Sequence, residues 1–447
     1  MFLLLSSFVA KAQDAWTLEQ CIKYAFDNNI QIKQQMLGVK MSEGKLLQSK
    51  MNALPSLNAG SNHSYGFGLG TNNLTGQKES QSTQATSFSL STSITLFNGF
   101  QISNAKKQNK FDLLATVSDV EKVKNNIALS IASAYLQILY SEDLVASSQK
   151  QLDLSKMQVE RTSVLVKAGS LPEGNLLEIE AQLASDELQL VNSQNQLDLA
   201  YLTLTQFLDI KTPEGFKIVK PNLENIEGKL VDLTPTGLFE SAQQTMPQII
   251  SAGHRVSSAE LGVRIAKGAM SPRLTLNGNY NTVAQYYLTN VYKLNTTTHL
   301  MELFVEDPFF TQLKDNANKT ISLGLSIPIF NGYIVHNGIS NAKISLDNAR
   351  LSFENEKNVL YKDIQQAYTD ALAAQKKLKA TQKNLAALNE AFRYSEQKFS
   401  VGLVTSVDYT TAKTKLSKAE TDLLQAKYEL IFKSKILEFY KGVPLSL

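Results

Sequence analysis

Few residues in this chain are placed to do bond-making chemistry. The lone cysteine, Cys21, rules out an intrachain disulfide and a thiolate-built metal site. The four histidines, His63, His254, His299 and His336, have no second ligand at metal-binding spacing, so each is expected to be packed or solvated. No metal and no other cofactor is expected. The chain holds no Gly-x-Ser-x-Gly nucleophile elbow, no phosphate-binding P-loop and no His-Glu-x-x-His pair. Its one glycine-rich run, Tyr65-Gly66-Phe67-Gly68-Leu69-Gly70, closes an alternating segment and precedes a polar stretch. That context fits the aromatic rim of a sheet better than a nucleotide cradle. Trp16 and the pair Tyr286-Tyr287 read as packing or interface aromatics. An enzyme is not expected.

Charge narrows the partners. Lys and Arg number 44 against 41 Asp and Glu, a net charge of +3, and no basic stripe stands out for a nucleic acid to follow. Only 19% of the 447 residues are charged, against roughly 25% in ordinary soluble domains. Ser, Thr, Asn and Gln take their place. Residues 1–12 read as an export signal: Phe2 to Ala10 is a short apolar run, and Ala10-Lys11-Ala12 fits the small-x-small cleavage pattern. The usual positive leader is missing, which fits a longer precursor; the alternative is a buried N-terminal strand. No later stretch approaches the ~20 apolar residues of a membrane-spanning helix. An exported chain of this kind is periplasmic, secreted, or a β-barrel.

The elements that position these residues come in two copies. Ser93-Ile94-Thr95-Leu96-Phe97-Asn98-Gly99-Phe100 matches Ser326-Ile327-Pro328-Ile329-Phe330-Asn331-Gly332-Tyr333 at an offset of 233. The same offset carries Ala168-Gly169 onto Val401-Gly402. Upstream, Ala53-Leu54-Pro55-Ser56-Leu57 matches Met270-Ser271-Pro272-Arg273-Leu274 at an offset of 217. The second copy therefore holds an insertion between its strands, within 283–319, expected as an external loop with a short helix. Repeat 1 covers 13–210 and repeat 2 covers 234–447. The Pro- and Gly-containing stretch 211–233 reads as the linker, or equatorial region, between them.

Each repeat is predicted as helix, strand, strand, very long helix, turn, helix. In repeat 1, Thr17 caps a helix running without a break to about Ala53, where Pro55 stops it. Strands follow at 56–68 and 86–97, then helices at 100–167 and 173–208. In repeat 2 the strands fall at 273–286 and 320–330, and the helices at 334–400 and 406–440. Each long helix has roughly 66 residues and spans about 100 Å. The two shorter helices of a repeat, stacked end to end, would match it. Rods of that length must cover their apolar stripes with neighbouring rods.

The strands carry the second signal. Phe88, Leu90, Ile94 and Leu96 fall on one face, and Ser87, Ser89, Ser91, Ser93 and Thr95 on the other. Ile321, Leu323, Leu325, Ile327 and Ile329 oppose Ser322, Gly324 and Ser326 in the same way. Strict alternation over about ten residues is the pattern of a transmembrane barrel strand. Four strands leave open edges and cannot close a lipid-exposed barrel. Two chains would give about eight strands, three about twelve and four about sixteen.

At this point the chain resembles the outer-membrane efflux protein family, the TolC-like exit ducts. The resemblance is carried by the helix–strand junctions at Pro55 and Pro272, the strand–helix junctions at Asn98-Gly99 and Asn331-Gly332, and the glycine turns at 168–171 and 401–404, all in duplicate. It implies an α+β membrane protein: a long α-helical coiled-coil barrel plus four transmembrane β-strands per chain, completing a 12-stranded barrel as a homotrimer. It implies an outer-membrane location with a helical tunnel in the periplasm, set in outer-membrane lipid. A periplasmic adaptor and an inner-membrane pump are the implied partners, for efflux of small molecules or type I secretion. The adaptor would dock at the tips, Val401, Gly402 and Leu403 in the family's form and Ala168, Gly169 and Ser170 in a divergent one. Acidic rings narrow the tunnel in this family. Asp408 matches one such position, Thr411 departs from the next, and Asn175 and Glu178 are their counterparts in repeat 1. Asp408 and Glu178 also fit a simpler role as helix-N-terminal carboxylates. The alternative function is a structural or adhesive envelope coiled coil without a conduit.

Overall fold

The structure is a computed structural model that describes residues 15–71, 78–211, 215–221, 234–288, 292–294, 301–303 and 305–447. The export signal expected at 1–12 and His299 lie outside the described residues. The elements run α1 (Leu18–Asn28), α2 (Ile30–Met51), β1 (Ser56–Thr71), β2 (Lys78–Phe97), α3 (Gln101–Lys167), α4 (Glu173–Phe207), α5 (Pro235–Thr245), α6 (Pro247–Gly268), β3 (Arg273–Tyr287), β4 (Tyr292–Leu294), β5 (Met301–Leu303), α7 (Phe309–Asp315), β6 (Asn318–Ser326), α8 (Ile334–Ser400) and α9 (Ser406–Tyr440).

The chain divides into two compact units that do not coincide with the sequence repeats. A helical unit takes the chain up to Lys40, Leu114–Gly253 and Leu351–Leu447; a sheet unit takes Met41–Leu113 and His254–Arg350. Each unit therefore draws on both repeats.

Two cores hold the helical unit, one built mainly on α3 of repeat 1, with Tyr428 and Ile431 of α9 joining it, and one on α8 of repeat 2. Ile127, Ile131, Tyr135, Ile138 and Leu139 of α3 pack on Leu18, Cys21 and Ala25 of α1 and on Leu204 of α4. Leu360, Ile364, Ala367, Ala371 and Ala374 of α8 pack on Leu238 and Ala242 of α5 and on Leu430 and Leu437 of α9. The alanines at three- and four-residue spacing let helix backbones approach closely.

The first helix of each repeat is broken, contrary to the continuous helix expected from Thr17 to Ala53. Asn29 adopts an extended ψ of 129° and its counterpart Met246 one of 124°. The causes differ. The Asn29 side-chain oxygen accepts from the Gln31 and Ile32 N–H groups, so it caps α2 while its amide nitrogen donates to the Phe207 carbonyl. Met246 precedes Pro247, whose ring disfavours helix at the residue before it and suits the first helical position. The Ile30 N–H donates to Asp209, so α2 starts where α4 ends.

Part of the stretch expected as the linker, or equatorial region, packs on the start of the chain. Trp16 and Ile218 form a parallel bridge, with the Trp16 N–H on the Lys217 carbonyl at 2.9 Å, and Phe216 packs on the Trp16 ring. Residues 212–214 and 222–233 of it lie outside the described residues.

The sheet has the order β1-β2-β3-β6, all neighbours antiparallel, leaving β1 and β6 as edges. β2 begins eight residues earlier than the sequence pattern predicts, at Lys78 rather than 86. β6 stops at Ser326, so Ile327–Phe330, expected as strand, lie beyond its end. The insertion holds the short helix α7 and covers part of an edge. Past Asn281, the last residue β6 pairs, Gln312 accepts from the Gln285 N–H at 2.8 Å, Glu306 accepts from the Tyr287 N–H at 2.7 Å, and Asn316 donates to the Val283 carbonyl at 2.7 Å.

Candidate functional site: the sheet faces, the junctions and the hairpin tips

Pairing fixes which residues share a face, because directly opposed residues point the same way. Leu57, Thr92 and Gly278 align with Ile321; Leu90, paired with Ala59, meets Tyr280; Ile94 meets Leu276, which meets Leu323. This face is apolar and exposed, with Leu57, Tyr65, Phe67, Ile321, Leu323 and Leu325 all open. The opposite face aligns Ser91 with Asn279, Ser89 with Asn281, and Ser93 with Asn277 and Ser322. The Ser93 hydroxyl donates to Asn277 Oδ1 at 2.8 Å. From Thr83 to Thr95 on β2, and on the neighbouring stretches of β1, β3 and β6, that face carries mostly amides, hydroxyls and glycines, with Ala85 and Val283 among them, and the charged Arg273 stands at its end, donating to the Thr95 hydroxyl at 3.5 Å.

The strand–helix junctions explain their own motif. Gly99 and Phe100 both have positive φ, at 65° and 62°, and so do Gly332 and Tyr333, at 59° and 70°. Two successive left-handed residues reverse the chain from strand into helix. Asn98 and Asn331 then offer side-chain oxygens to the Ile102 and Val335 N–H groups, each at 3.5 Å. Glycine is needed at the first place for a second reason in repeat 1: a Cβ on Gly99 would lie 2.3 Å from the Gly268 carbonyl oxygen. Pro55 and Pro272 sit between the end of a helix and the start of β1 or β3.

The tips are twin Schellman turns. The Gly169 N–H bonds the Val166 carbonyl and the Ser170 N–H the Leu165 carbonyl; Gly402 and Leu403 bond Phe399 and Lys398 in the same way. Gly169 and Gly402 have φ of 71° and 74°. Val401 and Leu403 are 68% and 74% exposed, so tip 2 is apolar, whereas tip 1 presents Ala168 and Ser170.

Beyond the turns the repeats diverge. Thr405 and Asp408 form a capping box at the start of α9: Thr405 Oγ1 accepts from the Asp408 N–H, and Asp408 accepts from the Thr405 N–H and, at 2.7 Å, from its hydroxyl. Those hydrogen bonds hold the Asp408 carboxyl below its ordinary pKa. In repeat 1, Pro172 stands at the cap with no side-chain bond, and Asn175 donates its N–H to the Pro172 carbonyl. Glu178 accepts from the Ser406 hydroxyl across to α9. Glu178 and Thr411 line one open groove between α4 and α9, beside Val407, Lys415 and Lys418.

A family model described as "Outer membrane efflux protein" matches residues 21–208 and 238–442. The chain belongs to the outer membrane efflux protein family. It is 24% identical over 218 residues to "Toxin and drug export protein A" of Aggregatibacter actinomycetemcomitans, a match covering 48% of this chain and 44% of that protein. It is 21% identical over 441 residues to "Outer membrane efflux protein BepC" of Brucella suis, covering 97% and 87%. A crystal structure of CusC superposes with a TM-score of 0.79 at 17% identity over 96% of this chain and 92% of that one. The matched stretch thus spans less than half of the first of these relatives, while the fold spans nearly all of the CusC chain.

One polar cluster in this efflux-family chain has no counterpart in the sequence analysis. Lys413 of α9 is buried, with Nζ 2.9 Å from Asp186 of α4 and in contact with the Ser155 hydroxyl of α3. Ser155 also donates to Asp186, and Gln182 donates to its other oxygen at 2.8 Å. The available signal was a lysine inside the buried helical stripe Tyr409, Lys413, Leu416, Ala419. The histidines found ordinary partners: His63 bonds Thr86, His254 packs on Phe111 and His336 stacks on Tyr333.

Proposed function

We propose that the chain is an outer-membrane exit duct, a passive channel-tunnel through which an inner-membrane pump and a periplasmic adaptor discharge small molecules or secreted polypeptides. The observation that carries this reading is the sheet. It has one exposed apolar face, one polar face rich in hydroxyls and amides, and, among the described residues, two open edges, a combination that suits lipid on one side and water on the other once the edges are paired. Three copies would make a 12-stranded barrel, wide enough to keep a lumen. Family membership and the likeness to CusC support the same reading. The tips at Ala168, Gly169, Ser170 and Val401, Gly402, Leu403 are the surfaces for the adaptor, and the groove holding Glu178 and Thr411, with Asp408 and Asn175 near it, is the candidate constriction.

The test is to extract the protein in detergent, compare its gel migration with and without heating, and reconstitute it in planar bilayers. A heat-labile oligomer with stable single-channel conductance is expected. A monomer that conducts no ions would overturn the duct and favour a structural coiled coil.

A further inference from the structure

The polar face of the sheet carries charge only at its two ends. By register it runs on alternate residues from Glu79 of β2, opposite Gly70, to Arg273 of β3, opposite Ser326. Between those ends no strand residue on that face is charged, among the described residues. The cationic end is the one nearest the helices, since Arg273 opens β3 just after α6 and Pro272.

Arg273 marks a divergence between the repeats. The offset of 217 that carries Pro55 onto Pro272 also carries Ser56 onto Arg273. The pair Ser56–Ser93 of repeat 1 and the pair Arg273–Ser326 of repeat 2 are equivalent. Each chain therefore has one cation where its internal symmetry would give two or none.

The surroundings leave that charge available. A bulge in β2 between Thr95 and Phe97 brings Phe97 opposite Leu274, the last residue of β3 that β2 pairs, so Arg273 has a strand partner only in Ser326. The guanidinium reaches the Thr95 hydroxyl at 3.5 Å, the long limit of a hydrogen bond. The residue is exposed, and no carboxylate among the described residues forms an ion pair with it. Its planar fork of N–H donors is thus almost unused. A purely structural role is poorly served by one long bond to a neutral hydroxyl, and repeat 1 builds the equivalent pair with serine.

We propose that Arg273 is an anion-binding residue of the duct, whose guanidinium, beside the hydroxyls of Thr95 and Ser326, holds the carboxylate, phosphate or sulfate groups of passing solutes. The inference rests on the proposed duct, because the polar face must line a lumen. Such oxyanions match the guanidinium fork with two parallel hydrogen bonds. Exposure to water keeps each contact weak, and a conduit needs a site that lets its solute leave. In a trimer three guanidinium groups would share one lumen, concentrating anions there and repelling cations.

Reversal potential under a potassium chloride gradient tests this, with the full-length protein in planar bilayers. Arg273→Gln should shift the potential toward cation preference, and Arg273→Glu should shift it further. Arg273→Lys should stay near the wild type. Ser56→Arg, which gives repeat 1 the same cation, should shift it the opposite way. Citrate serves as the oxyanion probe: its brief blockades of the wild-type current should become severalfold rarer in Arg273→Gln. Arg273→Cys makes the comparison within one conducting channel. A cationic methanethiosulfonate reagent should return its potential to the wild-type value, and an anionic one should drive it toward cation preference. The native Cys21 is buried and stays in place. Unchanged potentials in Arg273→Gln and Arg273→Glu beside a conducting wild type, or equal responses to the two reagents, would overturn the anion site and leave the duct standing. A wild type that conducts no ions would overturn both.

Discussion

Gly99 and Gly332 occupy equivalent turns but are held by different constraints. Both have positive φ, which a Cβ penalises by about 1 kcal/mol. Only at Gly99 does a Cβ also collide with backbone, 2.3 Å from the Gly268 carbonyl oxygen; around Gly332 of the single chain nothing lies within 4 Å. Gly99→Ala should therefore lower the unfolding temperature of the refolded protein clearly more than Gly332→Ala, and equal losses would contradict the geometry. At Lys413 the relevant cost is a buried charge left alone. Lys413→Met strands Asp186 among three helices and should cost about 3–5 kcal/mol, whereas Lys413→Met with Asp186→Leu should restore most of it. Thermal unfolding of the two variants decides this. Asp408 offers a pH test. Its carboxyl is depressed by the Thr405 cap, so it stays charged as pH falls past the usual carboxylate value and its capping is lost only below that. If Asp408 contributes to cation preference, the difference in reversal potential between the wild type and Asp408→Asn should persist at pH 5. Its disappearance by pH 5 would mean that neighbouring carboxylates in the assembly outweigh the cap.

Elements were legible in proportion to their regularity. The long helices α3 and α8 and the turns at Gly169 and Gly402 follow from uninterrupted periodicity ended by glycine. The breaks at Asn29 and Met246 were harder. Asn29 acts through a side-chain cap that only the packing of α2 against the end of α4 makes worthwhile, although Pro247 was a visible stop. The early start of β2 escaped because its first residues alternate weakly. The Lys413 cluster escaped because its members come from three helices far apart in sequence. What alternation did specify is the polar face of the sheet, and it carries a prediction. A lumen lined by Ser89, Ser91, Ser93, Asn277, Asn279 and Asn281 would offer amide and hydroxyl dipoles along that stretch, with the Arg273 cation at its end. Asn279→Asp would add one carboxylate per copy to that surface. It should shift the reversal potential under a salt gradient toward cation preference, as the apolar-face change Leu90→Met should not. An unchanged potential in Asn279→Asp would mean that this face does not line the conducting path.

At the scale of the whole molecule, duplication makes two tips per chain and divergence makes them unequal. A proposed trimer would present six turns in alternation, three with exposed Val401 and Leu403 and three with Ala168 and Ser170. Backbone geometry is the same in both, since both are Schellman turns at glycine, so a partner can distinguish them only by side chains and by the helix caps just downstream. An apolar pair at a solvent-exposed tip gains from burial against a partner, roughly 1.5–3 kcal/mol for each large side chain fully covered. Ala168 and Ser170 have little apolar surface to offer. Leu403→Asp should therefore weaken binding of the reconstituted channel to its cognate adaptor by about tenfold or more, since 1.4 kcal/mol is a factor of ten. Ser170→Asp should change it little. Conductance of each variant alone is recorded beside the binding, because the candidate constriction at Glu178 and Thr411 belongs to the same helical unit as the tips. Equal losses at the two tips would show that the adaptor reads the common glycine turn rather than the side chains, and the asymmetry between the repeats would then have to act elsewhere, at the Thr405–Asp408 cap that repeat 1 replaces with Pro172.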